Sequence, residues 1–192
     1  SAMGVDIADI NNDGLNDIFV TDMMPETEDR TKAVMEFETF DVFKLKQSRD
    51  FHAQYIQNTL QINNGNNTFS DIGYLAGIYA TDWSWSSLLA DFDNDGYRDL
   101  FVTNGFPKDV TDRDYVMFKR EVGAFQHVRS LLDSIPVLKV PNYAFRNQGD
   151  LTFQDKTGEW GLLRPSFSNG AAFADLDNDG DLDYVVNNIN DP

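Results

Sequence analysis

The chain has 192 residues, 41% of them hydrophobic and 13% aromatic, enough to bury one ordinary core and too apolar for a disordered polymer. Its formal charge of −17 argues against nucleic acid as a partner, and no apolar run approaches the ~18 residues of a transmembrane helix. Cysteine is absent, so there is neither a disulfide framework nor thiolate chemistry.

The first element in chain order is an acidic loop, Asp9–Asp17, of the form D-x-[DN]-x-D-G-x-x-D. The short apolar run Ile18-Phe19-Val20 leaves it, reading as a strand. Residues 24–57 break the β pattern; within them Met35–Lys46 carries apolar residues (Met35, Phe37, Phe40, Phe43) at helix-like spacing. A hairpin follows, with Asn63-Asn64-Gly65-Asn66 as its turn. The aromatic cluster Tyr79, Trp83 and Trp85 then leads into a second acidic loop, Asp91–Asp99, and a strand Leu100-Phe101-Val102. A second insertion, 106–141, shows the same helical spacing over Asp114–Leu132 (Val116, Phe118, Val122, Phe125). The hairpin turn Asn147–Asp150, a third loop Asp175–Asp183 and the run Tyr184-Val185-Val186 complete the chain. The chain starts and stops within a few residues of its outer loops and reads as a segment of a longer protein.

Each loop is a wrapping for one hard cation. Side chains at positions 1, 3 and 5 converge, the Gly at position 6 permits a positive φ, position 7 offers its carbonyl, and the Asp at position 9 closes the shell. The candidate ligands are Asp9, Asn11, Asp13, Leu15 and Asp17; Asp91, Asp93, Asp95, Tyr97 and Asp99; and Asp175, Asp177, Asp179, Asp181 and Asp183. No Cys or His lies in any loop, and an all-oxygen, carboxylate-rich set favours Ca²⁺ over Zn²⁺ or Mg²⁺. An EF-hand would need Glu at position 12, where this chain has Val20, Val102 and Val186. Three Ca²⁺ sites are therefore expected, in strand–loop–strand settings.

A shift of 84 residues carries Asn63, Gly65, Thr68 and Phe69 onto Asn147, Gly149, Thr152 and Phe153, and carries the second loop onto the third. Four short strands per period make a propeller blade. The expected fold is mainly β: one segment, 1–192, of a β-propeller, with repeats at about 1–75, 76–157 and 158–192, the third incomplete. Two full four-stranded blades and half of a third would carry helical insertions between strands two and three. Because strands alternate direction, the cation loops should line one face and the insertions the other.

The loops, the NxGxxTF hairpins, and the stretches Trp83–Gly96 and Phe167–Gly180 resemble FG-GAP/VCBS repeats, the calcium-binding blades also found in integrin α-subunits. The insert-bearing form is similar to large bacterial surface or secreted proteins, some with an ASPIC/UnbV module. The resemblance implies Asp or Asn ligands at positions 1, 3, 5 and 9 of each loop, an extracellular or cell-envelope location (bacterial surface, outer membrane or periplasm), and a scaffold for binding or adhesion to protein or carbohydrate. Two departures stand out: Asn11 replaces an acid, and family propellers have about seven blades.

No G-x-S-x-G, H-E-x-x-H or phosphate-cradling loop is present, and His52 and His127, the two histidines, both fall in the insertions. No catalytic residue is assigned. Trp83 and Trp85 are candidates for stacking on sugar rings, against the competing reading of inter-blade packing. A propeller part of a polysaccharide-processing enzyme and a purely structural spacer stay open as alternatives. Unpaired blade edges lead one to expect self-association of the segment.

Overall fold

The computed structural model describes residues 2–35, 38–122 and 128–190. Strands β1 (Gly4–Ala8), β2 (Asp17–Thr21), β3 (Thr59–Asn63) and β4 (Phe69–Asp71) form a sheet in sequence order, every pair antiparallel. Strands β5 (Ser84–Ala90), β6 (Asp99–Asn104), β7 (Tyr143–Asn147) and β8 (Phe153–Asp155) form a second sheet of the same design. Strands β9 (Ser168–Ala174) and β10 (Asp183–Asn188) pair as the first half of a third. The fold is mainly β, with two full propeller blades and half of another, as the repeat pattern implied.

The blades pack face to face through β1, β5 and β9. Blade one supplies Ile10, Phe19, Leu60, Ile62, Ala76 and Ile78 to the first interface, and blade two answers with Leu89, Leu100, Val102 and Phe145. Phe19, Leu60, Leu100 and Val102 are fully buried, each worth about 1.5–3 kcal/mol by burial alone. The second interface is aromatic: Phe101 lies 4.3 Å from Phe92, 4.7 Å from Tyr184 and 5.5 Å from Trp160, centroid to centroid. Sandwiched between two neighbours, β6 is buried at every residue. The outer faces carry the same repeat positions uncovered: Ile7, equivalent to Leu89, and Val185, equivalent to Phe101, are exposed.

Two helices, α1 (Glu28–Val34) and α2 (Phe40–Gln47), connect β2 to β3, and two more, α3 (Arg113–Val122) and α4 (Val128–Asp133), connect β6 to β7. The helix expected over Met35–Lys46 is displaced. Thr27 caps α1 by accepting from the Arg30 N–H at 3.4 Å, and Met35 ends that helix in an extended conformation. The apolar spacing signalled α2 correctly from Phe40 onward but missed α1, whose residues are mostly polar. In the second insertion the expected helix over Asp114–Leu132 is represented by α3 and α4; Phe37, Phe125 and His127 lie outside the described residues.

The insertions are tied to the blades by a buried charge cluster. Arg30 of α1 reaches Asp109 Oδ2 with Nη1 at 2.5 Å and Asp82 Oδ2 with Nε at 3.2 Å. Burial raises the Asp82 pKa, and the neighbouring Arg30 charge opposes that rise. Glu26 accepts from the Tyr143 hydroxyl at 2.7 Å, so the first insertion reaches onto the second blade.

Candidate metal centre

All three acidic loops connect the first two strands of their blades and lie at the end opposite the helices, where the β3–β4 and β7–β8 turns also fall. Their backbones superimpose in kind. Position 4 is left-handed in each (Asn12, Asn94 and Asn178, φ 59°, 60° and 61°), and so is the glycine at position 6 (Gly14, Gly96 and Gly180, φ 84°, 91° and 94°). Asn is among the few non-glycine residues that tolerate this region, which is the reason for its recurrence at position 4.

The carboxylate at position 1 organises each loop. Asp9 accepts from Asp13 N and Gly14 N at 3.1 and 2.8 Å, Asp91 from Asp95 N and Gly96 N at 3.0 and 2.9 Å, and Asp175 from Asp179 N and Gly180 N at 3.2 and 3.1 Å. Position 5 turns back to accept from position 7: Asp13 from Leu15, Asp95 from Tyr97 and Asp179 from Asp181, at 2.8, 2.9 and 3.0 Å. Position 9 closes the ring by accepting from the residue after position 1, as Asp17, Asp99 and Asp183 do from Ile10, Phe92 and Leu176.

In the two complete blades the third strand adds a further donor. Asn63 N and Asn147 N reach Asp17 Oδ1 and Asp99 Oδ1 at 2.8 and 2.9 Å, and both Asp side chains are inaccessible to solvent. Burial, reinforced by the Asp93 and Asp95 charges, pushes the Asp99 carboxyl up to about 6 against the hydrogen bonds that lower it. A divalent cation among these oxygens would supply the counter-charge that burial otherwise withholds.

Asp91, Asp93 and Asp99 bring one carboxylate oxygen each within 4.8 Å of one another, as do Asp175, Asp177 and Asp183. These two triads can hold a metal ion, and their all-oxygen chemistry fits a hard divalent cation. The first loop puts the amide of Asn11 where the others have Asp93 and Asp177, and among the described residues it forms no all-acidic triad. Asn11 instead donates its Nδ2 to Asp13 Oδ2 at 3.0 Å.

The loops are linked across the blades by residues that the spacing argument did not single out. Asn12 Nδ2 donates to Gly96 O at 3.0 Å, and Asn94 Nδ2 to Asp181 Oδ1 at 2.5 Å. Asn147 Nδ2 spans the first interface, reaching Ile10 O at 2.9 Å and Arg98 O at 3.1 Å. Asn at position 4 in all three loops, and Asn63 recurring as Asn147, were the available signals.

The tryptophans lie elsewhere. Trp83 is buried at 8% exposure and stacks on Phe106 at 4.5 Å with nearly parallel planes. Trp85 packs at an angle on the same ring and donates Nε1 to Gly105 O at 2.8 Å. Trp83 directly precedes β5 and Trp85 lies near its start, toward the insertion end, with the indole of Trp83 covered by protein.

A family model described as FG-GAP-like repeat matches residues 46–102 and 139–186, more than half of the chain. No curated protein matches it.

Proposed function

Since the chain belongs to the FG-GAP-like repeat family, we propose that it is a calcium-binding propeller module that works as a non-catalytic binding scaffold outside the cell or in the cell envelope. The observation that carries the reading is the threefold recurrence of one loop geometry, with the same left-handed positions and the same inward-turned carboxylates. Turns that bind nothing have no need of so many oxygens aimed at one point. Asp9, Asn11, Asp13 and Asp17 with the Leu15 carbonyl would hold the first ion. Asp91, Asp93, Asp95 and Asp99 with the Tyr97 carbonyl would hold the second, and Asp175, Asp177, Asp179 and Asp183 with the Asp181 carbonyl the third.

The cation would bridge segments that otherwise repel, fixing each of the first two loops against the hairpin turn of its own blade and the loop of the next. The opposite end, built by the insertions, is the surface we assign to a protein or carbohydrate partner. Exposed Phe40, Leu45, Phe51 and Tyr55 support that assignment, since apolar side chains gathered on one insertion suit a contact surface. Calorimetry on chelator-treated protein should find three Ca²⁺ per chain. No uptake at millimolar Ca²⁺, or tighter binding of Zn²⁺, would overturn the reading.

A further inference from the structure

The second loop differs from the others in one respect that its own sequence does not contain. Arg146, on β7, lays its guanidinium across the loop: Nη2 donates to Asp95 Oδ2 at 2.9 Å, and Nε lies 2.5 Å from Asp93 Oδ2. The Nε contact is close but poorly aligned, so the guanidinium makes a hydrogen bond to Asp95 and an ion contact with Asp93. One repeat earlier the same position is Ile62, buried in the first interface. The third loop carries an Asp at positions 1, 3, 5, 7 and 9, and among the described residues no cationic side chain pairs with any of them.

We propose that Arg146 is a built-in competitor for the cation at the second loop, lowering its affinity below that of the third, so that the sites fill at different Ca²⁺ concentrations. The inference rests on the calcium reading above. Asp93 is the shared residue. One of its oxygens accepts from the Asp95 N–H at 3.3 Å and the other faces Arg146, so an ion bound through Asp93 shares that carboxylate with the guanidinium and meets its positive charge. A guanidinium keeps its charge at any physiological pH, so this competition cannot be relieved by deprotonation. It is relieved only when the side chain swings away, and Arg146, 39% exposed, has solvent into which to swing.

The loop also carries its own reporter. Position 7 is Tyr97 here and Leu15 and Asp181 in the other loops, so Tyr97-sensitised Tb³⁺ luminescence, displaced by Ca²⁺, reads the second site; Tyr97→Phe identifies that signal. Arg146→Ile, which installs the residue of blade one, and Arg146→Gln, which keeps polarity without charge, should tighten Ca²⁺ at the Tyr97-reported site by about three- to tenfold. Arg146→Lys should fall between them and the native protein, and calorimetric affinity at the third site should not move. Unchanged or weaker Ca²⁺ binding at the reported site in Arg146→Gln would overturn the proposal while leaving three-site calcium binding intact. If the native protein takes up no Ca²⁺ at all, the calcium reading falls and this one with it.

Discussion

The two ends of the blades are held by opposite means. At the loop end the same few backbone-to-carboxylate hydrogen bonds recur in each blade, set by Asp, Asn and Gly at fixed positions. At the insertion end recurrence stops at the strand ends, where Asp22 N and Asn104 N donate to Asn58 Oδ1 and Asn142 Oδ1 at 2.8 and 2.9 Å; beyond them α2 buries no residue, and the anchor of α1 is one ion cluster centred on Arg30. Repetition makes the loop end readable and redundant. The inserted helices depend on single contacts, each of which can be removed alone.

The largest effect should come from the loop end, at a place where redundancy ends. Asp99→Ala strips the acceptor from the Phe92 and Asn147 N–H groups inside the protein, at about 1–3 kcal/mol for each orphaned donor. The orphaned donors total about 4 kcal/mol, offset in part at neutral pH because burial disfavours the Asp99 charge; urea unfolding in chelator, where metal plays no part, should show the loss grow as pH falls through the raised Asp99 pKa of about 6. The equivalent Asp183→Ala should cost far less, because Asp183 is exposed and bonds Leu176 without a third strand above it. Equal losses would show that the loop end is not stabilised through its buried carboxylates.

Next in size is the insertion end. Arg30→Met leaves Asp109 and Asp82 facing each other without a counter-charge, which in a buried pair costs about 3 kcal/mol. The deficit should shrink on acidification. Asp82 already has a raised pKa in the folded state, so the native form takes up a proton more readily than the unfolded chain, and losing Arg30 strengthens that bias. A deficit that is constant or grows as pH falls would show that Arg30 does not act through these carboxylates.

Calcium itself should discriminate between the ends. At a hundredfold excess over its dissociation constant an ion binding only the folded form stabilises by about 2.7 kcal/mol. EGTA should therefore lower the melting temperature, and amide exchange should quicken at residues 9–17, 91–99 and 175–183 while α1 keeps its protection. Loss of protection in α1 to the same degree would mean the ends are coupled and the contrast drawn above fails.

The loops were legible because cation binding fixes residue type and spacing together, so D-x-[DN]-x-D-G-x-x-D carries its geometry in the letters. The blades were legible because the 84-residue repeat reports equivalent positions, and Ile7, Leu89 and Phe173 share a place whether covered or not. Arg146 was not legible: it lies 47 residues beyond the loop it pairs with, at a position where the repeat has Ile62, so neither local pattern nor repetition points to it. The Arg30 cluster escaped for the same reason, joining residues 52 and 79 positions apart that have no repeat partners. The boundary of α1 was missed because its cap, Thr27, begins a helix with almost no apolar face.

The smallest effect on stability should come from the most apolar part of the insertion end. Phe40 and Leu45 of α2 are 68% and 56% exposed, and no α2 residue is buried, so Phe40→Ser with Leu45→Ser removes little that folding had gained. Unfolding free energy should change by less than about 0.5 kcal/mol, the range of surface substitutions. Calcium stoichiometry should be untouched, since the helix is separated from the loops by the length of the sheet. What the double change should alter is association. Lys44 and Lys46 flank these side chains, and Lys44 lies over the Phe40 ring at 4.8 Å, so an apolar surface with a basic rim would lose its apolar part and keep its charge. Light scattering at high protein concentration should then show less self-association than the native chain. A drop in stability of 2 kcal/mol or more, on the scale of a buried-residue truncation, would instead place α2 in the packed structure and remove it from the contact surface.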